Sequence, residues 1–225
     1  MFCGGGGSSM GYYLAGVKLG QTVDITGIDL KHGRSYPFEY IRKDVLEVLK
    51  DDDYLKQFDL INASPPCQTH SRAKHLMKAQ GNETKKLDLL PEVTAALIKS
   101  GQPYVIENVV GSPLKNTIML CGSAFGLKVR RHRLFESNIA LIGTVCNHKE
   151  QGKPIGVYGA LGDQPQGRNL KTGEYVYGGR IAQTIDEASD AMGINWMKWG
   201  ELKEAIPPAY TQYIGEQIIR NKQVG

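Results

Sequence analysis

The stretch FDLINASPPC, residues 58–67, joins a short apolar run to a rigid loop. The run from Phe58 to Ile61 predicts a buried strand. Pro65 and Pro66 forbid its continuation because proline cannot donate a hydrogen bond to a strand ladder. The loop therefore holds Cys67 at the end of the strand, on the side where a ligand would lie.

Two other segments repeat this pattern. TVDITGIDL, residues 22–30, is rich in β-branched residues and ends at an acid, Asp29. PYVIEN, residues 103–108, brings Glu107 and Asn108 to its end. Strands alternate with helix-like stretches, and polar residues gather where strands finish. The sequence therefore predicts an α/β fold with a doubly wound sheet that binds ligands at the carboxyl ends of its strands.

Helical spacing and glycine stops predict two of the helices near these strands. Met10, Leu14 and Val17 lie near helical spacing, with Gly20 as the stop. A second helix is expected over residues 91–100, which a glycine follows directly. These helices would connect the strands of the sheet.

A run of glycines, Gly4 to Gly7, precedes the first helix and would let the backbone approach a nucleotide-like ligand closely. Such a turn suits flavin, nicotinamide and S-adenosylmethionine (SAM) enzymes alike, and a flexible N-terminus also fits it. Asp29 lies about 20 residues farther on, where nucleotide-binding sheets hold ribose hydroxyls. An exposed loop carboxylate is the alternative for Asp29.

Length and composition limit the classes of protein that the chain can be. Its 225 residues suit one domain with a small appendage, and the net charge of +4 permits nucleic acid binding without requiring it. No apolar run approaches the length of a membrane span and no signal peptide is visible, so we expect a cytoplasmic protein. The four cysteines lack CxxC spacing. Cys146 and His148 offer two metal ligands without a second pair, and we therefore predict no metal site.

Cys67 has two interpretations. A free cysteine is often a small core residue, but the two prolines before it favour a fixed position at the ligand edge. Thiolates are strong nucleophiles at neutral pH when a basic group or a helix N-terminus lowers their pKa. The sequence therefore favours Cys67 as a nucleophile.

Three ordered motifs resemble those of the DNA cytosine-5 methyltransferases. PPCQTHS contains a match to the P-C-Q-x-x-S motif of that family, and ENV at Glu107 resembles its E-N-V motif. GLKVRRHRLF resembles the Q-x-R-x-R segment, with Arg131 and Arg133 in the two arginine positions and Val129 in place of glutamine. The resemblance covers most of residues 1–136 and returns weakly near the C-terminus.

The resemblance implies a covalent mechanism. Cys67 would add to C6 of cytosine while Glu107 hydrogen-bonds N3 and the exocyclic amine, so that C5 becomes reactive enough to take a methyl group from SAM. Arg131 would hold the base at O2 and Arg133 would brace the site, although basic clusters commonly face solvent or phosphate. The target base would have to leave the helix stack.

The resemblance also implies a SAM site. Phe2 would lie against adenine, Asp29 on the ribose and Asp44 on the adenine amine, although Asp44 suits a helix N-cap equally well. The remaining expected cofactor residues are Gly4, Gly5, Gly7 and Pro65.

The chain departs from the family pattern at both ends. Family members carry a strand ending in an acid ahead of the F-x-G loop, whereas Phe2 here follows Met1 directly. The final family motif has an Asn-Ser pair that IPPAYTQYIGEQI lacks, although a packing helix is still expected there. The resemblance therefore predicts a weakened cofactor edge.

We expect three parts along the chain: a SAM-binding catalytic domain over 1–137, a small recognition region over 138–195, and a helical segment over 196–225 that packs back. Residues 138–179 suggest hairpins or loops, rich in glycine. Trp196 and Trp199 are interpreted as packing residues, with base stacking as the alternative. The expected partner is double-stranded DNA, bound by a monomer without metal or membrane.

Three rival functions remain at this stage. The first is a relative that binds DNA or SAM without turnover. The second is a SAM enzyme acting on an amino group, because PPC resembles the N-P-P-aromatic loop of those enzymes, although cysteine replaces the aromatic residue. The third is methylation of RNA by the same chemistry.

Overall fold

The computed structural model describes residues 1–31, 35–66, 88–162 and 179–224. The stretch of residues 58–67 therefore lies within the described residues except for its last member, Cys67. In the described part, short strands and helices alternate from the N-terminus, and most of residues 138–162 is irregular.

The strands are β1 to β8 in chain order: Thr26–Asp29, Glu39–Arg42, Ile61–Ala63, Tyr104–Val109, Ile118–Leu120, Arg133–Ser137, Ile155–Gly156 and Arg180–Ile181. The helices are α1 to α8: Gly7–Leu19, Val45–Val48, Asp52–Leu55, Leu90–Ser100, His148–Gln151, Ile185–Met192, Trp199–Leu202 and Pro208–Val224. A 3₁₀ turn covers Gly122–Phe125. The predicted helices before Gly20 and Gly101 are confirmed, and each of these glycines caps its helix with positive φ, at 66° and 67°.

The strands form a parallel pair, β1 with β2, and a mixed sheet in the order β3-β4-β6-β5. In the mixed sheet β3 and β4 are parallel, whereas β6 runs antiparallel to both of its neighbours. The strand predicted over Phe58 to Ile61 was placed too early. Pairing with β4 begins only at Ile61, because Phe58 still donates to the Leu55 carbonyl (3.2 Å) in the turn that ends α3.

The first residues of the chain lie between the two sheets. The Met1 ammonium donates to the Asn62 carbonyl (2.7 Å), and Ser64 N–H donates to the Met1 carbonyl (3.3 Å), both at the β3 side. On the other side, Cys3 N–H donates to the Ile28 carbonyl of β1 (3.4 Å). Residues 1–3 thus take backbone hydrogen bonds from both sides, as a central strand would.

The first and last helices pack closely through small residues. The buried positions of α1 include Gly11 and Ala15, whereas Val17, which the spacing pattern placed on the apolar face, is 59% exposed. A Cβ at Gly11 would lie 2.0 Å from Thr211 Oγ1 of α8. Glycine is therefore required for the backbones of α1 and α8 to approach.

Most of the described chain from 138 to 162 is loop, one of the two forms that its glycines suggested, and the two strands described after residue 137 do not pair as a hairpin. β7 pairs in parallel with β8, and parallel pairing requires a longer crossover than a hairpin turn provides. A small core gathers here around Val157, Ala188 and Met192, with Trp196 and Trp199 packed against it. Within the described residues, none of the helices is both long and apolar enough to span a bilayer.

Candidate active site

A cavity of about 1450 Å³ runs along β1 and β3, and its lining includes residues before these strands as well as residues at the carboxyl ends of β1, β3 and β4. The pattern of polar strand ends predicted a site at the carboxyl ends. The cavity lining includes Glu107 and Arg133 together with every residue expected at the cofactor: Phe2, Gly4, Gly5, Gly7, Asp29, Asp44 and Pro65. The volume exceeds that of a usual small-ligand site, since the cavity extends beyond the carboxyl ends of the strands.

Glu107 and Arg133 form a buried ion pair in this cavity. Glu107 Oε1 lies 3.0 Å from Arg133 Nε, and the two side chains are only 7% and 17% exposed. The strands explain the geometry: Glu107 of β4 faces Phe135 of β6 in the ladder, so Arg133, two residues before Phe135, projects on the same face. The sequence brings an acid and a cation together at one wall of the cavity.

Burial raises the pKa of the Glu107 carboxyl above its ordinary value, and the Arg133 guanidinium opposes that rise. Desolvation disfavours the charged carboxylate, whereas a nearby cation favours it. The Glu107 carboxyl therefore takes up and releases its proton at a higher pH than a solvated glutamate does.

Asn108 fixes the loop that leads to Cys67. Its side-chain amide donates to the Pro65 carbonyl (3.1 Å), and its side-chain carbonyl accepts from Val109 N–H (2.9 Å). Asn108 is 1% exposed, so this contact joins the ends of β3 and β4 from inside the protein. Cys67 itself lies outside the described residues, which end on this side at Pro66.

Arg131 does not line the cavity. Its guanidinium donates to the backbone carbonyls of Val157 (2.7 Å), Lys203 (2.8 Å) and Ala205. Arg133 is thus the arginine that lines the cavity, and the roles that the motif implies, with Arg131 holding the base and Arg133 bracing the site, stay a prediction. Arg131 precedes β6 and has a positive φ of 33°, so its side chain does not follow the extended backbone that puts Arg133 on the face of Glu107.

Two of the expected site residues have strained backbones. Phe2 has φ 53° and Arg131 has φ 33°, a region that residues with side chains rarely occupy. Such strain persists only where surrounding contacts hold it, and it collects at functional sites. At Arg131 the hydrogen bonds from its guanidinium to three backbone carbonyls keep the strained backbone in place.

The glycine loop is held by partners of different kinds. Gly4 N–H donates to Asp29 Oδ2 (3.1 Å), while Asp29 Oδ1 accepts from Lys31 N–H (3.1 Å). A Cβ at Gly5 would meet Met197 Sδ at 2.8 Å, and one at Gly7 would meet the Ile206 carbonyl at 2.2 Å. Close packing against the C-terminal segment therefore explains these two glycines.

Asp44 is the N-cap of α2, because its Oδ1 accepts from Leu46 N–H at 2.9 Å. This is one of the two interpretations that the sequence allowed. The other, a contact with adenine, stays a prediction, and Asp44 does line the cavity.

Cys146 and His148 are not an isolated pair of metal ligands, as the sequence had suggested. Cys146 and His148 do have a second pair beside them: Cys121 and His132, with all four ligand atoms within 4.8 Å of one another. The second pair is not visible in the sequence, because its two members lie in different elements: Cys121 precedes a 3₁₀ turn, and His132 lies among arginines before β6. Only the fold brings the two pairs together.

Ser64 was not predicted from sequence as a residue of the site, and Trp196 was predicted only as a packing or base-stacking residue. Ser64 lines the cavity beside Glu107 and, like Arg133, opposes the rise that burial causes in the pKa of that carboxyl. Trp196 donates its indole N–H to the Gly5 carbonyl (3.0 Å) and so supports the glycine loop. The position of Ser64 directly after a strand could have indicated a role at the site. The sequence did not indicate that Trp196 contacts Gly5, which is 191 residues away.

The family model of C-5 cytosine-specific DNA methylase matches residues 1–117, and the chain belongs to this family. A solved structure of a DNMT2 triple mutant from Spodoptera frugiperda is similar, with a TM-score of 0.56 and 13% sequence identity. That likeness covers 97% of this chain and 98% of the other, and it identifies a mixed α/β methyltransferase fold. No significant match is found among curated protein sequences.

Proposed function

We propose that this protein is a DNA cytosine-5 methyltransferase, which transfers a methyl group from SAM to C5 of a flipped cytosine through a covalent bond to Cys67. The observation that carries the proposal is the buried Glu107–Arg133 pair (3.0 Å) in the same cavity as the glycine loop. A proton-exchanging acid beside a fixed cation suits a heterocycle that gains charge as a nucleophile adds.

The cavity residues fit SAM. Asp29 and Asp44 supply carboxylate acceptors for ribose hydroxyls and the adenine amine, and Phe2 supplies an apolar ring. Gly4 has nothing within 4 Å of its Cβ position, which leaves room beside the loop. When bound, SAM would supply the electrophilic methyl group. Gly5, Gly7 and Pro65 would shape the pocket through their backbones.

Cys67 would act as the nucleophile. C5 of cytosine is too weak a nucleophile by itself, so addition of a thiolate at C6 is needed to convert the ring to an enamine. The hydrogen bond from Asn108 to the Pro65 carbonyl would fix the loop that presents Cys67. Loss of the C5 proton and departure of the thiolate would then release the product.

Glu107 and Arg133 would bind and activate the base. Glu107, protonated or sharing a proton, would donate to N3 as negative charge develops there, and Arg133 would hold O2. Arg131 would serve as a scaffold for the strained turn ahead of β6, since its guanidinium already binds three carbonyls. The base would have to be extruded, because a stacked cytosine cannot reach this cavity.

The family description and the net charge of +4 support DNA as the substrate. Methylation of RNA uses the same residues, so only the nucleic acid distinguishes the two. Comparing duplex DNA with transfer RNA under one set of salt conditions tests this part of the proposal.

We also propose that the two sheets form one doubly wound, Rossmann-like sheet. Residues 1–3 support this, because they hydrogen-bond to Ile28 on one side and to Asn62 and Ser64 on the other. The order would then be β2-β1-(1–3)-β3-β4-β6-β5, with the cavity at the point where the chain reverses direction across the sheet.

The covalent step is tested with DNA that carries 5-fluorocytosine. Fluorine at C5 blocks the final elimination, so the protein should form an adduct that survives denaturing gel electrophoresis. Cys67→Ala should form no adduct and should lose methyl transfer, because no other group replaces the thiol. The same duplex with ordinary cytosine is the matched control, and it should show turnover without a trapped adduct.

Methyl transfer at full rate by Cys67→Ala would contradict the assignment. Methyl transfer by the unaltered protein without any adduct on 5-fluorocytosine would instead indicate chemistry on an amino group. Circular dichroism of both proteins separates loss of chemistry from loss of fold.

A further inference from the structure

Four side chains that the proposed methyl transfer does not use form a compact cluster beside β6. Cys121 lies at the start of the 3₁₀ turn after β5, His132 directly before β6, and Cys146 and His148 at the start of α5. Cys121 Sγ lies 3.3 Å from His148 Nε2, and Cys146 Sγ lies 3.4 Å from His132 Nε2. Two thiols and two imidazoles therefore alternate around one point.

These spacings match a tetrahedral metal site. Zn–S bonds of about 2.3 Å and Zn–N bonds of about 2.0–2.1 Å place neighbouring ligand atoms about 3.4–3.8 Å apart in a tetrahedron. All four ligand atoms here lie within 4.8 Å of one another, and two sulfur–nitrogen contacts, at 3.3 and 3.4 Å, are already close to the tetrahedral spacing. Small side-chain adjustments would complete the geometry.

Groups around the cluster support a bound thiolate. Ser123 Oγ lies 3.2 Å from Cys121 Sγ and accepts from Asn147 N–H (3.0 Å), which leaves its own proton for the sulfur. Ser123 is only 7% exposed. Hydrogen bonds of this kind orient metal ligands and are part of such sites.

We propose that Cys121, His132, Cys146 and His148 bind one Zn²⁺ ion as a structural site. Two cysteines and two histidines are a ligand set that zinc prefers, and four protein ligands leave no open position for catalysis. The ion joins the turn before β6 to the segment that begins the small recognition region. It therefore fixes His132, which lies between Arg131 and Arg133, without taking part in methyl transfer.

The metal content of the purified full chain tests the proposal. Protein prepared without chelators should contain one zinc per chain by multi-element mass spectrometry. Cys146→Ser and His148→Ala should each lose most of that zinc. Cys3→Ser is the matched control, because Cys3 is a half-buried cysteine outside the cluster, and it should keep the full zinc content.

A second measurement uses the unaltered chain and so does not depend on how the variants fold. Replacement of zinc by Co²⁺ should give the strong visible absorption of a tetrahedral site with thiolate ligands. Removal of the metal by a chelator should lower the melting temperature, and added Zn²⁺ should restore it, since an ion that binds the folded state stabilises it.

Either of two metal measurements would overturn the inference, and so would a disulfide. One is a chain that stays free of zinc and of other transition metals after incubation with them and gives no tetrahedral cobalt spectrum. The other is zinc that persists in both cluster variants at the level of Cys3→Ser. A disulfide between Cys121 and Cys146 in freshly prepared protein, seen as a loss of two hydrogens in mass, would also exclude a four-ligand site.

Discussion

The surroundings of Glu107 predict how activity depends on pH. Burial raises the pKa of its carboxyl, so this group keeps its proton to a higher pH than a solvated glutamate does. If the protonated form activates the base, kcat/KM falls as pH rises through the raised pKa. Glu107→Gln should lower kcat by about 10²–10⁴-fold and should remove that falling limb, because glutamine has no proton to lose in this range. The pH dependence of kcat/KM for both proteins checks this.

Glu136→Gln is the matched control for that measurement. Glu136 is also buried, at 7% exposure, but its carboxylate accepts from Lys115 N–H (2.6 Å) and from the Tyr104 hydroxyl (3.4 Å) instead of facing the cavity. Its replacement should leave the falling limb in place. A Glu107→Gln profile that keeps the limb, or an equal loss of DNA binding and kcat, would indicate a structural role for Glu107.

The sequence predicts which residues belong to the site better than it predicts where their side chains point. The motif positions of Glu107 and Arg133 follow from local spacing, and both line the cavity. The contact of Arg131 with carbonyls of residues 157–205 depends on long-range packing that no local pattern records. The second pair of the cysteine–histidine cluster was missed for the same reason.

Among the elements, α1 and α8 depend on each other through small side chains. A Cβ at Gly11 would lie 2.0 Å from Thr211 Oγ1 and 2.2 Å from the Pro208 carbonyl, so Gly11→Ala must separate the two helices. Although alanine is the better helix former, we expect a loss of about 1–3 kcal/mol in the free energy of unfolding. Urea denaturation of the purified variant measures it.

Gly200→Ala provides the comparison, because Gly200 also lies in a helix but has nothing within 4 Å of its Cβ position. There the gain in helix propensity should leave stability unchanged or raise it by up to about 1 kcal/mol. Equal stability of the Gly11 and Gly200 variants would mean that α1 and α8 can move apart without cost.

Helices and strands could be predicted where turn residues mark their ends. Which other helix or strand each of them packs against or pairs with could not be predicted. Gly20 and Gly101 end α1 and α4 because their positive φ suits glycine, and the sequence states this directly. The start of β3 was misplaced by three residues because register is fixed by β4, a partner more than 40 residues away. The apolar spacing of α1 likewise could not reveal that α8 packs on its glycine face.

On the scale of the whole molecule, the C-terminal helix closes the chain onto the candidate site. Apolar residues of α8, among them Tyr210 and Ile214, pack in one cluster with Val105 of β4 and Phe135 of β6. The Lys18–Glu216 ion pair (2.8 Å) and the hydrogen bond from Thr211 Oγ1 to the Ser8 carbonyl (2.8 Å) hold the same helix to α1. One helix thus fixes the glycine loop and β6 relative to each other.

Tyr210 provides the most specific test of this closure. Its ring is fully buried, and its hydroxyl donates to the carbonyls of Arg131 (2.8 Å) and Arg130 (3.2 Å), nearly 80 residues away. This hydroxyl supports the strained turn that precedes Arg133. Tyr210→Phe keeps the ring but removes the donor, so it should cost about 1–2 kcal/mol of stability. If the turn positions Arg133, the variant should also lower kcat by up to about 100-fold with little change in KM for DNA.

Tyr213→Phe is the matched control for that prediction. Tyr213 lies one turn farther along α8 and contacts the same Phe125 ring, with ring centroids 5.7 Å apart against 5.3 Å for Tyr210. Its replacement changes one hydroxyl on the same helix without touching the turn before β6. We therefore expect Tyr213→Phe to keep kcat near that of the unaltered protein. A Tyr210→Phe variant that loses stability but keeps its full kcat would show that Arg133 is positioned by β6 and Glu107 alone, and that α8 contributes to folding without controlling the site.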